Sequence, residues 1–192
     1  MMKVLAINGS ARRNGNTAIL LKTVLDELKK EGIKTELLQM AGKPILGCRA
    51  CNKCITKKNF RCAMDRDFVN EWLMKMREAD GILLGSPTYF CDVTAGMRAF
   101  IERVGRVARG NDYMLKRKVG AAVVAVRRAG GIPAFSSINL FLSYMQMILP
   151  GSSYWHVGIG REIGDVKKDE EGLQTMKTLG ENMAWLLKRL NP

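Results

Sequence analysis

Two groups of residues in this chain have types and spacing that could do chemistry. The first is the run Asn8-Gly9-Ser10-Ala11-Arg12-Arg13-Asn14-Gly15-Asn16-Thr17. It follows a short apolar segment, Lys3-Val4-Leu5-Ala6-Ile7, and precedes an amphipathic stretch. A buried strand, a loop of small polar residues and a helix start together make an anion cradle. Unpaired backbone N–H groups at the helix start point at the ligand, and the helix dipole favours negative charge there. Asn16 or Thr17 can cap the helix, and Arg12 or Arg13 can neutralise a phosphate dianion. The loop lacks the Lys-Ser/Thr ending of a nucleoside-triphosphate loop. It also lacks the G-x-G-x-x-G of a dinucleotide site. What remains suits one terminal phosphate monoester. The plainer alternative is an ordinary polar turn between a strand and a helix.

The second group is Cys48, Cys51, Cys54 and Cys62, spaced C-x2-C-x2-C-x7-C, with Cys91 standing apart. The first apolar run is too short for a secretory signal and ends in polar residues. A cytoplasmic location is therefore expected, and a structural disulfide framework is disfavoured. Overlapping C-x2-C units resemble the opening of a cluster-binding run, because each ligand must reach a separate iron of a compact cube. Structural zinc more often takes two separated pairs of ligands. Zinc and free thiols stay open as alternatives. Arg49, Lys53, Lys57, Lys58 and Arg61 would offset the negative charge of a thiolate-ligated cluster.

The elements that must position these groups alternate from end to end. Strands are expected at 3–8, 33–40, 81–85, 118–126 and 152–157, and helices at 16–31, 67–79, 93–109, 133–149 and 170–190. Leu21, Val24, Leu25 and Leu28 mark one face of the first helix, and Met176, Leu179, Met183, Leu186, Leu187 and Leu190 one face of the last. Pro133 falls in a first turn, where its missing N–H costs nothing. Five strands with intervening helices imply an α/β fold, a parallel sheet covered on both faces. No linker or repeat divides residues 1–192, so one domain is expected, with a cysteine-rich insertion at about 41–64.

With these residues in view, the first loop resembles the G-S-x-R-x-x-G-N-T loop of the flavodoxin-like NAD(P)H-dependent FMN reductases and iron-sulfur flavoproteins. The resemblance implies a flavodoxin-like three-layer sandwich with strand order 2-1-3-4-5. In that order the switch point lies between the first and third strands, and the loops after them sit side by side. It implies FMN as cofactor, with its phosphate on Ser10, Arg12, Asn16, Thr17 and Ala18. The run Pro87-Thr88-Tyr89-Phe90 resembles the family's P-x-Y loop, which lines the isoalloxazine ring. Ala129, Gly130 and Gly131 would approach the ring from the other side. Arg127 and Arg128 depart from the family's small residues there. Either they stabilise an anionic reduced flavin or they form a surface ion pair. The four cysteines are similar in spacing to those that bind a [4Fe–4S] cluster in iron-sulfur flavoproteins. By resemblance the donor is an acidic ferredoxin. The alternative is an NAD(P)H-dependent FMN or quinone reductase without a cluster. In either case the flavin carries the chemistry, and no amino-acid nucleophile is needed.

Composition bounds the rest. The chain has 192 residues, 47% of them hydrophobic, which suffices for one full core. Its formal charge of +13 suggests nucleic acid at first. The basic residues are scattered, however, and no aromatic-interleaved stripe stands out, so no nucleic-acid partner is expected. A solvated basic surface, or steering of an acidic redox partner, accounts for the charge. Residues 129–160 carry no Asp, Glu, Lys or Arg, but Pro133, Ser136, Ser137, Asn139, Ser143, Gln146 and Pro150 interrupt them. A span needs about 20 predominantly apolar residues, so this segment is read as a core or subunit-contact helix. A homodimer or dimer of dimers is expected by resemblance, through the helices at 93–109 and 133–149. His156, the only histidine, suits a strand-end hydrogen bond better than a proton donor, and Trp155 suits packing. The twelve methionines are expected to fill the core and subunit contacts.

Overall fold

A computed structural model describes residues Met1–Asn191. Five strands form one sheet: β1 Lys3–Asn8, β2 Lys34–Gln39, β3 Gly81–Pro87, β4 Val119–Val126 and β5 Val157–Ile159. Their order is β2-β1-β3-β4-β5, and every pair is parallel. The reason lies in the strand sequences. All eight residues of β4 are buried, as are all but the first of β1 and all but the last of β3. Strands apolar on both faces need cover on both sides, which crossover helices supply.

The helices are α1 Asn16–Lys30, α2 Lys53–Lys57, α3 Val69–Glu78, α4 Ala95–Gly110, α5 Gly131–Tyr144 and α6 Glu170–Leu190. α1 and α6 cover one face and bury Leu20, Leu21, Val24, Leu28, Met176, Leu179, Met183 and Leu187 with Val4, Ala6 and Leu83. α3, α4 and α5 cover the other and bury Trp72, Leu73, Phe100, Val104, Ile138 and Leu142 with Leu5, Ile7 and Ile82. Among the described residues no helix is long and apolar enough to cross a membrane.

The chain runs outward from β1 to β2, then crosses back to β3 on the other side of β1. The crevice of an open α/β sheet forms at such a reversal. Two elements differ from the sequence reading. The fifth strand is expected at 152–157 but forms at Val157–Ile159. Residue 148 pairs with β4 through Gly120 N–H to Ile148 O (2.9 Å) and Ile148 N–H to Lys118 O (2.9 Å). Then Pro150, which has no N–H, and the residues after it bow away from the sheet. Pairing resumes only at His156, whose carbonyl accepts from Val124 N–H (2.9 Å). The helix expected over 133–149 runs instead from Gly131 to Tyr144, because Gln146 turns left-handed (φ +59°) and the chain returns to β4.

Candidate functional site

Three loops leave the carboxyl ends of β1, β3 and β4, and the backbone stitches them together. In the first, Ser10 N–H donates to Asn8 Oδ1 (3.0 Å) and Arg12 N–H to Ser10 Oγ (3.0 Å), which curls the chain over the end of β1. Gly9 N–H donates to Gly85 O (2.7 Å), and Gly9 O accepts from Thr94 Oγ1 (2.8 Å). A Cβ on Gly9 would lie 2.8 Å from Met97 Cε and 3.1 Å from Gly85 O, so this approach needs glycine.

The start of α1 is open. Gly15 is its cap and offers no side chain; the first helical bond is Ile19 N–H to Gly15 O (3.2 Å). The N–H groups of Asn16, Thr17 and Ala18 are left at the helix end. Neither Asn16 nor Thr17 caps the helix, contrary to the sequence reading. Asn16 turns the other way: Nδ2 donates to Glu162 O (2.9 Å), and Oδ1 accepts from Gly164 N–H (2.9 Å). It therefore ties α1 to the segment around 160–166. Thr17 is buried, and its hydroxyl has no partner. Arg12 and Arg13 are exposed.

In the second loop, Thr88 N–H donates to Ala125 O (2.9 Å), so β3 and β4 hold together past Pro87. Thr88 Oγ1 is a second buried hydroxyl without a partner. Tyr89 and Asp92 then pair across a tight turn, N–H to O in both directions (2.8 and 3.0 Å), with Phe90 and Cys91 both left-handed (φ +48° and +61°). Asp92 fixes the turn by accepting from Arg98 (2.5 Å), Ser137 Oγ (2.7 Å) and its neighbour's N–H (Val93, 2.7 Å). Burial works to raise the Asp92 pKa, but the bonds from Ser137 and Arg98 outweigh it and hold the carboxyl below its ordinary range. As a result Phe90 stands fully exposed. Tyr89 faces a cavity of about 530 Å³ shared with Gly9, Ser10, Met40, Ile45 and Thr94.

In the third loop, Arg127, Arg128 and Ala129 are exposed, and Gly131 already belongs to α5. Gly130 has φ +82°, and a Cβ there would lie 2.9 Å from Cys91 Sγ. The second and third loops thus touch at a position only glycine fills. Ala129, Gly130 and Gly131 line a separate cavity of about 370 Å³ with Trp155 and Ile159. The three loops share one edge of the sheet; the first lines the 530 Å³ cavity and the third the 370 Å³ one.

His156 is buried, with Nδ1 against Ala122 O (3.0 Å) and its ring edge-on to Phe135. Burial lowers its pKa, against the effect of that bond. It substitutes for a missing strand hydrogen bond and does not line either cavity beside the loops.

The cysteines form a second site. Cys48, Cys51, Cys54 and Cys62 line one narrow cavity of about 20 Å³, together with Arg103, Arg106 and Val107 of α4. Cys91 is not among them. The sequence missed the side chains that hold this loop. Asn70 accepts from Cys62 N–H (2.7 Å) and donates to Cys62 O (3.0 Å) and Met64 O (3.3 Å). Glu102 accepts from Cys48 N–H (3.2 Å), and Arg106 donates to Asn52 Oδ1. Asn111 accepts from Phe60 N–H (2.9 Å) and donates to Cys54 O (3.4 Å). The only readable signal was polar residues at inward positions of helices, Asn70 and Arg103 above all.

The donor set suits a cluster, since four cysteines line one cavity, although a thiol must lose its proton to ligate. Ala50 N–H donates to Cys48 Sγ (3.4 Å), as backbone amides do to ligated sulfur. Burial pushes the Cys54 thiol up, and the nearby Cys62 and Cys48 thiols push the same way. Among the described residues no three Cys, His, Asp or Glu side chains converge on a single ion position. A cube asks for something different, one sulfur at each of four separate irons, and the four cysteines lining this cavity supply that number. Ala50, Asn52, Lys58 and Phe60 in this loop are left-handed.

The sequence profile of the NADPH-dependent FMN reductase family matches residues 2–162. The chain belongs to that family. An iron-sulfur flavoprotein of Methanocaldococcus jannaschii is 38% identical over 97% of this chain and 98% of its own length. One of Methanosarcina thermophila is 30% identical over 97% and 96%. Among solved structures, RosB with bound 8-demethyl-8-formylriboflavin-5'-phosphate has a TM-score of 0.77 at 19% identity, covering 99% of this chain and 80% of that one. A flavodoxin from the domain Archaea has a TM-score of 0.63 at 17% identity, covering 97% and 99%. At those identities the two structures speak to the fold alone. This FMN reductase family member is an FMN-dependent oxidoreductase. The two orphaned hydroxyls, Thr17 Oγ1 in the first turn of α1 and Thr88 Oγ1 in the second loop, fit such a ligand, since each is a buried group near the ends of the strands that still lacks a partner.

Proposed function

We propose that the chain is an electron-transfer iron-sulfur flavoprotein, in which Cys48, Cys51, Cys54 and Cys62 hold a [4Fe–4S] cluster that passes single electrons to FMN. The observation that carries this reading is α4. Its cap, Thr94, bonds the phosphate loop, and its Glu102, Arg103 and Arg106 hold the cysteine loop. At 1.5 Å per residue, the nine residues from Thr94 to Arg103 span about 14 Å. One helix therefore sets the distance between the two sites.

In this reading Ser10, Arg12, Thr17 and the free N–H groups of Asn16, Thr17 and Ala18 bind the phosphate; Asn16 contributes only its backbone, because its side chain is engaged elsewhere. Pro87, Thr88 and Tyr89 line one side of the ring, and Ala129, Gly130 and Gly131 the other. Phe90, standing in solvent, would cover the ring's edge or meet a second subunit. When bound, FMN takes up electrons singly or in pairs. The exposed Arg49, Lys53, Lys57 and Arg61 around the cysteines suit an acidic ferredoxin-type donor. Exposed Ile132, Leu140 and Tyr144 on α5 suit a homodimer or dimer of dimers, which light scattering across concentration would reveal.

The second reading, an NAD(P)H-dependent FMN or quinone reductase, is favoured by the open 530 Å³ cavity beside Tyr89, which leaves room for a second substrate. Anaerobic purification with iron, acid-labile sulfide and FMN assayed together tests the two. Four irons per chain with FMN supports electron transfer. FMN without iron, with fast NAD(P)H oxidation, supports the reductase.

A further inference from the structure

The one cationic side chain in the cysteine cavity that is wholly withdrawn from water is Arg103. It sits on the buried face of α4, among Phe100, Val104 and Val107. An arginine almost never occupies such a position unless a partner is provided. Partners exist, but they do not use the whole group. One Nη donates to the Asp67 carboxylate and the other to Met64 O (2.7 Å), while Nε, equally buried, has none. Arg103 and Cys62 line the same narrow cavity of about 20 Å³. The other basic residues near the cysteines differ in kind. Arg49, Lys53, Lys57 and Arg61 are exposed, and salt and water screen them. A charge buried beside the thiolates is screened far less.

We propose that Arg103 is the electrostatic positioning residue of the cysteine site, a buried cation beside Cys62 that raises the reduction potential of the cluster held there. The proposal rests on the cluster reading given above. Reduction adds one electron, delivered by a one-electron carrier that is itself oxidised, and so adds one negative charge to the thiolate-ligated unit. No bond forms or breaks, and Arg103 keeps its proton throughout. The added charge is stabilised by the nearby guanidinium. Asp67, paired to the same guanidinium, opposes it. The two residues should therefore move the potential in opposite directions, which a merely structural ion pair would not do.

The test uses the full chain, purified anaerobically, with iron and sulfide assayed and the cluster titrated potentiometrically under electron paramagnetic resonance. Arg103→Gln should lower the reduction equilibrium constant about tenfold, a shift of ~59 mV to more negative potential for a one-electron couple. Arg103→Lys, which keeps the charge, should recover most of that shift. Asp67→Asn, which removes the opposing charge, should move the midpoint to more positive potential. If Arg103→Gln does not accumulate, Asp67→Asn against wild type decides: a midpoint unchanged or more negative overturns the proposal. So does Arg103→Gln protein with full iron and an unchanged midpoint. Wild-type protein that binds FMN but no iron overturns the cluster reading, and this proposal with it. Wild type with four irons and a midpoint indifferent to these substitutions overturns this proposal alone.

Discussion

The crevice at the ends of β1, β3 and β4 and the cysteine loop hang on the same helix and are built by opposite means. The crevice is made of backbone. Gly9, Gly85, Thr88 and Ala125 bond main chain to main chain at the ends of three strands, and side chains of Asn8, Ser10, Asp92 and Thr94 finish the turns locally. The cysteine loop has one short helix and several left-handed residues, and side chains from α3, α4 and the turn after α4 hold it in place. A site of the first kind is rigid because the sheet is rigid. A site of the second kind is only as rigid as its few clamps, and each clamp carries a larger share.

The largest effect should come from the strongest clamp. Asn70→Ala removes three hydrogen bonds and leaves Cys62 N–H and O without partners. A loss of about 3 kcal/mol is expected, read as a lower urea midpoint, with iron retention falling while FMN affinity stays within twofold. Equal losses of iron and FMN would erase the contrast between the two regions. On the other side, Thr94→Val removes the α4 cap and the bond to Gly9 O at nearly constant shape. About 2 kcal/mol of stability should go, and calorimetry should find FMN binding hurt more than iron content.

The sequence disclosed these two regions unequally, for the same physical reason. Residues 9–17 are contiguous, so their types and spacing suggest an anion site at sight, and the alternating elements suggest the parallel sheet that the structure shows. The cysteines are visible as a group of candidate ligands, but Asn70, Glu102, Arg103 and Asn111 lie up to 63 residues away from Cys48 along the chain, in or just after helices where polar residues normally face water. Asn16 was misread because capping is the local option, whereas its actual partners lie near residue 164. The fifth strand was misplaced because the apolar run Tyr154-Trp155-His156 has strand character, while Pro150 denies it a bond and the His156 ring takes one instead.

Smaller substitutions sharpen the comparison. Thr17→Val removes a buried hydroxyl that has no partner in the protein. The flavin-free protein should be as stable as wild type or slightly more so, while FMN binds about tenfold more weakly, ~1.4 kcal/mol. A titration with unchanged affinity would detach Thr17 from the site. The smallest effect concerns Asp92, half-exposed and held below the ordinary carboxylate pKa. A carboxyl depressed in the folded state adds stability that is complete above the unfolded value, about 3.9, and is lost as pH falls through the folded one. Asp92→Asn should therefore narrow the stability difference between pH 6 and pH 3, by well under 1 kcal/mol after solvent screening. No narrowing in paired urea titrations would show that the Phe90 turn does not depend on that carboxylate.

Because α4 reaches both the first loop and the cysteine loop, it also works as a ruler with a fixed pitch. Inserting one residue between Phe100 and Glu102 would swing every later side chain through about 100° and point Arg103 and Arg106 away from the thiols. Inserting seven, close to two full turns, would restore the facing but separate the two ends by roughly 10 Å more. Single-residue insertions there should therefore empty the metal position, whereas the seven-residue version should fill both positions and slow the passage of electrons between them.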